Sequence, residues 1–254
     1  AKVNVYICFA NIVHIYYCNM LQLFWGKKIN DSVLIVEGDD VGHITKSLRQ
    51  KVGDQIDLID GSGVIYHCVI TNVARNQIDT VVMSSGIAQK YWNHAITLGI
   101  SLLKNLDRIE WLVEKIVELG VESILFLRCE RSQKSNFRID RINRIVQAAM
   151  KQSNNVYMPD IQHIKYIDVF ANQKYELYNK FIAHCEDTNK LTLKHTSFPK
   201  AKSIVLIGPE GDFTSNEIEL AIQNGFNPIS LGQSRLRTET AGFYAVAAIK
   251  ALTY

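Results

Sequence analysis

The sequence predicts an α/β protein in which a small all-β unit precedes a larger sheet of mostly parallel strands with helices packed on it. Three observations lead there. Up to about Ser85 the chain is a succession of short β-branched runs separated by turn residues. From Ala95 onward, buried-type strands alternate with stretches of helical period. Near the end, two strand-like runs each stop at glycine and open into a loop that leads to a helix. A chain of 254 residues can bury a core in each of two units, and the division expected is 1–86 and 87–254.

In the first unit the runs are Val33 to Val36, Gln55 to Ile59, Val64 to Val73 and Ile78 to Met83, with Asp60-Gly61-Ser62-Gly63 as a hairpin turn. Tyr66 stands where a G-x-G-x-x-G fingerprint would need its last glycine. Val3 to Trp25 is apolar, but Asn4, Asn11, His14, Asn19 and Gln22 interrupt it, so two strands are expected there rather than a membrane span. The stretch from Gly42 to Lys51 reads as a short helix whose basic side, His43, Lys46, Arg49 and Lys51, suits either phosphate or solvent.

In the second unit, Ala95 to Ser101 is a buried strand. Leu106, Ile109, Leu112, Val113, Ile116, Val117 and Leu119 then recur at helical spacing up to a stop at Gly120. Trp111 on this helix reads as packing. Glu122 to Leu127 is a strand, after which seven basic residues, Arg128, Arg131, Lys134, Arg138, Arg141, Arg144 and Lys151, face only Glu130 and Asp140. Arg138, Arg141 and Arg144 step by three, which gathers them on one side of a helix while Ile142, Ile145, Val146 and Ala149 turn inward. Such a ridge suits RNA phosphates or a plain soluble surface. Ile161 to Lys165 and Lys180 to His184 add strands, for a sheet of five or six, and Lys190 to Lys202 is a connection.

The last fifty residues are the most informative. Ser203 to Ile207 is a strand ending at Gly208-Pro209-Glu210-Gly211, and a helix follows with capping-box spacing at Thr214 and Glu217, an apolar stripe of Ile218, Ala221 and Ile222, and a stop at Gly225. Pro228 to Leu231 ends at Gly232, and a polar loop leads into a helix beginning near Glu239 and rich in small residues. Ligands of parallel sheets sit beyond the carboxyl ends of strands, where glycines let the backbone approach.

Composition narrows the class. Hydrophobic residues make up 47% and charged residues 21%, which excludes a disordered chain. A formal charge of +3 is too small to identify a partner by itself. Cys8, Cys18, Cys68, Cys129 and Cys185 contain no C-x-x-C pair and the histidines lack ligand spacing, so reduced thiols, a cytoplasmic location and no metal are expected. His184 beside Cys185 reads as strand filling.

The blocks IGPEG, SLG and LRTETA, in this order and spacing, resemble the C-terminal signature of SPOUT methyltransferases, in particular the 16S ribosomal RNA (uracil-N3)-methyltransferase family, ribosomal RNA small subunit methyltransferase E. His43, Leu48 and Arg49, Gly53-Asp54, Lys104, Asp107, Arg108, Lys115, Glu118 to Val121, Glu130 to Ser132, Ala148 and Gln152-Ser153 extend the resemblance over nearly all of the chain from Gly42. It departs at Asp212, where the family usually has a second glycine, at Asn154, where arginine is usual, and in the first thirty residues. The resemblance implies a SPOUT-type α/β domain with a C-terminal trefoil knot, preceded by a small PUA-like β-barrel that holds RNA.

It further implies S-adenosylmethionine as cofactor, held by Gly208, Pro209, Glu210, Gly211, Leu231, Gly232, Leu236, Arg237, Thr238, Glu239, Thr240 and Ala241. The implied substrate is 16S ribosomal RNA or the assembled small ribosomal subunit, met by His43, Lys46, Arg49, Arg131, Arg138, Arg141, Arg144 and Gln152. A homodimer with no membrane partner is expected, with the stripe Ala241, Gly242, Ala245, Ala248 and Ala251 serving either that interface or the core. Methylating uracil N3 removes a proton and spreads negative charge over the carbonyl oxygens. Arg237 is the residue expected to stabilise that charge or to grip phosphate; Glu210 and Glu239 are the carboxylates available, Glu239 serving equally well as an N-terminal helix residue, and neither is singled out as the base. A knotted RNA-binding protein without catalysis, and a SPOUT enzyme for another RNA position, are the alternatives.

Overall fold

The computed structural model describes residues 22–133 and 137–254. The first unit is a six-stranded sheet in the order β1-β4-β5-β6-β3-β2, where β1 is Leu23–Trp25, β2 Lys27–Asn30, β3 Val33–Glu37, β4 Gln55–Ile59, β5 Val64–Val73 and β6 Gln77–Ile87. The edge strands β1 and β2 are separated in sequence by Gly26 alone, so the sheet must curl round until its two ends meet. A side chain at Gly26 would lie 2.7 Å from Leu34 Cδ2 and 3.1 Å from Leu58 Cβ, which is why the closure takes glycine. Phe24, Leu34, Val36, Ile44, Ile56, Leu58 and Ile78 fill the interior. Residues 3–21 of the apolar Val3 to Trp25 stretch, where two strands are expected, lie outside the described residues.

Between β3 and β4 the helix starts earlier than its apolar pattern suggests, with α1 at Asp39–Gly42 continuing as a π-helical turn over His43–Ser47. Arg49 then takes the left-handed conformation, φ 58°.

The second unit is a seven-stranded, all-parallel sheet in the order β11-β13-β10-β12-β7-β8-β9. Its strands are β7 Ala95–Ser101, β8 Ser123–Arg128, β9 Asp160–Lys165, β10 Asn179–Ala183, β11 Leu191–Thr192, β12 Lys202–Ile207 and β13 Asn227–Ser230. The additional strand is β11, two residues inside the expected connection. Helices α2 (Leu106–Glu118) and α3 (Ile139–Ser153) pack on one another, and α5 (Thr238–Thr253) packs on α2, β7 and β12. Gly242 permits this approach, since a Cβ there would lie 2.9 Å from Ile100 Cδ1. Thus Gly242 and Ala245 of the small-residue stripe are core, whereas Ala251 is exposed. Helix α4 (Ser215–Gln223) carries the expected capping box and buries Ile218 and Ala221, but Ile222 faces solvent at 46% exposure. Trp111 is also partly exposed, its ring centroid 5.6 Å from that of Phe243.

The units dock through the Asp60–Gly63 turn. Gly63 N donates to Val156 O at 3.0 Å and Met158 N to Gly61 O at 2.9 Å, while Leu23 and Ile59 join the core of the larger unit. A side chain at Gly63, φ 92°, would lie 2.2 Å from the Tyr157 ring. Lys151 Nζ on α3 binds both Asp40 oxygens, 2.6 and 2.8 Å, and Asp40 also accepts from Trp25 N at 3.1 Å. Lys151 therefore ties the units together rather than facing a partner. Among the described residues no helix is long and apolar enough to cross a membrane.

Candidate active site

Three neighbouring strands, β12, β10 and β13, end side by side. Ala183 at the end of β10 pairs with Ile207 of β12 on one side and Ile229 of β13 on the other, so the loops after β12 and β13 must flank whatever follows Ala183. They enclose a cavity of about 790 Å³.

The first wall is the loop after β12. Asp212 N donates to Pro209 O at 2.9 Å, and Asp212 itself is left-handed, φ 64°. Aspartate tolerates this conformation better than most residues, so the turn that glycine would serve is kept. The Asp212 carboxylate adds two ties that glycine lacks, accepting from Cys185 N at 2.6 Å and from Phe213 N at 2.9 Å. From the β8 side, Arg131 Nη1 donates to Gly211 O at 2.9 Å and to Phe213 O at 3.3 Å. Buried Glu217 accepts from Glu130 N at 2.8 Å and from Thr214 N at 2.9 Å. Arg131, expected to face RNA, is thus committed through that nitrogen to bracing the loop.

The second wall is the loop from Leu231 to Arg237, entered through Gly232 at φ 120°. Arg237 is the N-cap residue of α5; its carbonyl accepts from Ala241 N at 2.7 Å, and its side chain makes no capping bond and is exposed. Of the residues expected to hold cofactor, 208–211, 231–232, 236–238 and 241 line the cavity, and Glu239 and Thr240 do not. Glu239, in the first turn of α5, is buried, its Oε1 3.7 Å from Arg108 Nε and its Oε2 without a partner among the described residues.

Among the wall residues that sequence reasoning did not assign to the cofactor are Arg108, His184, Cys185, Lys190 and Arg235. Burial, then the Lys190 charge, pushes the His184 imidazole below the ordinary histidine range. Burial and Asp212 raise the Cys185 thiol. Cys129, behind the first loop, is pushed up to about 12 by burial and the Glu217 charge, which makes it inert.

The residues expected to meet RNA lie on two elements that Lys151 and Asp40 hold together. His43, Lys46 and Arg49 are exposed on and after the π-helical turn, with His43 Nε2 2.9 Å from Gln22 Nε2. Arg138 precedes α3, and Arg144 and Gln152 are exposed along it. Arg141 is paired instead, gripping Glu110 with Nε on Oε1 and Nη2 on Oε2 at 3.0 Å. Lys134 lies outside the described residues.

Comparison with known proteins agrees with this architecture. The family described as RNA methyltransferase domain matches residues 90–250, and that described as RNA methyltransferase PUA domain matches residues 36–83. Ribosomal RNA small subunit methyltransferase E of Buchnera aphidicola subsp. Schizaphis graminum is 30% identical over 216 residues, covering 82% of this chain and 86% of its own. A probable rRNA-methyltransferase from Porphyromonas gingivalis superposes with TM-score 0.84 at 35% identity, over 92% of this chain and 98% of that one. The ribosomal RNA small subunit methyltransferase E of Neisseria gonorrhoeae, solved bound to S-adenosyl methionine, gives TM-score 0.77 at 27% identity, over 91% and 98%. With this sheet order, this cavity and these likenesses over most of its length, the chain belongs to the ribosomal RNA small subunit methyltransferase E family.

Proposed function

We propose that this protein transfers a methyl group from S-adenosylmethionine to N3 of a uridine in 16S ribosomal RNA. The observation that carries the reading is the cavity between two glycine loops at the ends of β12 and β13, in a chain of this family. Its volume of about 790 Å³ is ample for a nucleoside-sized ligand. Backbone groups of residues 208–211 and 231–237 suit a flat base and ribose. When bound, S-adenosylmethionine supplies an electrophilic methyl group on a sulfonium, so the protein's work is to align donor and nucleophile. Arg237 at the cavity wall stabilises the negative charge that develops on the uracil carbonyl oxygens, and Glu210, exposed in the first loop, accepts the N3 proton.

RNA lies across His43, Lys46 and Arg49 on one unit, residues 1–86, and Arg138, Arg144 and Gln152 on the other, residues 87–254. Arg141 and Arg131 orient rather than lead, given their internal partners. The return of α5 across β12 and β7 is in keeping with a trefoil knot. The half-exposed Trp111 and Tyr244, with Phe243, give a second copy an aromatic surface to cover, and the protein works as a homodimer in the cytoplasm.

Calorimetric titration with S-adenosylmethionine should give saturable heat, and ribosomal RNA from a deletion strain should lack 3-methyluridine until the gene is restored. Absence of heat at high protein concentration rules out the enzyme, and an unchanged 3-methyluridine level rules out the assigned position. Arg131 and Arg144 are expected to separate cleanly. R131A should weaken S-adenosylhomocysteine binding about five- to tenfold, the effect of losing charge-assisted bonds to the loop, with the salt dependence of RNA binding unchanged. R144A should leave the cofactor alone and lower the salt slope by roughly one. The opposite pattern would make Arg131 a phosphate ligand.

A further inference from the structure

His184 is 7% exposed, and neither of its ring nitrogens has a partner among the described residues. An imidazole hidden from water with both nitrogens unmatched is costly unless a ligand completes it. Its position says which ligand. Because Ala183 pairs with Ile207 and Ile229, His184 is the first residue beyond the sheet, between Gly208 and Ser230, on the floor shared by the two glycine loops. The neighbouring Cys185 N–H is fixed on Asp212 Oδ2 at 2.6 Å, so the backbone that carries His184 is anchored to the first loop. A residue so deep meets the cofactor before any RNA.

We propose that His184 is a cofactor-recognition residue that hydrogen-bonds the ribose hydroxyls of S-adenosylmethionine; this rests on the function proposed above. Burial and the Lys190 charge lower the proton affinity of the imidazole against the opposing Asp212 and Glu186, which favours its neutral form. A neutral ring offers one N–H donor and one acceptor, which matches a hydroxyl able to do both. A carboxylate would call for a cation, which Lys190, Arg108 or Arg237 supplies on the same walls. An ammonium group would call for the carboxylates of Glu210 or Asp212.

The test is calorimetry with S-adenosylhomocysteine and its 2′,3′-dideoxy analogue on the wild type, H184F and H184N. The wild type should prefer the hydroxylated ligand about tenfold or more, the effect of one to two hydrogen bonds in a closed site. H184F should bind S-adenosylhomocysteine about tenfold more weakly and lose most of that preference, and H184N should keep part of it. Equal affinity of the wild type for both ligands overturns the inference whether or not H184F folds. Undiminished preference in H184F overturns it too, leaving the cofactor reading intact. A wild type that binds neither ligand removes the cofactor reading, and this inference with it.

Discussion

Replacing Arg237 with alanine is expected to lower kcat about 100- to 1,000-fold, the usual effect of removing a charge-stabilising donor, while the Kd for S-adenosylhomocysteine changes less than about threefold. The backbone of Arg237 is held as the N-cap of α5 by the Ala241 N–H on its carbonyl, so the substitution leaves the loop in place. Its guanidinium forms no ion pair with any described residue, unlike Arg141 on Glu110 or Arg108 beside Glu239. Like Arg235 on the same wall, it is therefore free to turn toward charge that arises only as the methyl group is transferred. An interaction made only in the transition state lowers kcat and kcat/KM together. Single-turnover kinetics on small ribosomal subunits, with cofactor affinity measured separately, checks this. An unchanged single-turnover rate with a raised KM for RNA would assign Arg237 to gripping phosphate instead.

The loops at Gly208 to Gly211 and at Gly232 were legible because their signals are local: a β-branched run, a glycine, then a capping box whose Thr214 and Glu217 are three residues apart. The four runs from Val33 to Met83 were legible for the same reason, since alternation and turn residues operate over a few positions, whereas β2, Lys27–Asn30, has no such run. What escaped was set by register between distant strands. His184 reaches the cavity because β10 is inserted between β12 and β13, and nothing near His184 in sequence records that insertion. Arg108 likewise arrives from α2 because Glu239, 131 positions later, lies beside it.

The basic run after β8 illustrates a further limit. Charge counting treats Arg131, Arg141, Arg144 and Lys151 alike. Three of them have internal partners, Gly211 O, Glu110 and Asp40, that only tertiary contact supplies. A charge run thus bounds how much phosphate a surface can hold, and the pairing decides how much is free to do so.

Gly208→Val is expected to weaken S-adenosylhomocysteine binding about 100-fold or more while the protein still folds. A Cβ at Gly208 would lie 3.0 Å from both Phe213 N and Phe213 Cδ2, and 3.3 Å from Asp212 C. Two of these three atoms are backbone, so no rotamer change relieves the contact. Phe213 is itself locked, 1% exposed and packed with Ile218, Ala221 and Tyr166, and the 208–212 turn is the side that must move. Moving it pulls against the Arg131 and Cys185 ties and shifts the backbone groups proposed to hold the ligand. Overpacking of this kind costs about 1–3 kcal/mol, which in a chain this long lowers Tm by roughly 2–12 °C. Gly211→Ala is the matched control. Its Cβ would meet nothing closer than Arg131 Cδ at 3.6 Å, ordinary contact, so binding within about twofold of wild type is expected. Calorimetry and thermal melts on the two variants decide the matter. Should Gly208→Val bind the ligand as wild type does, the first loop is not the wall of the cofactor site.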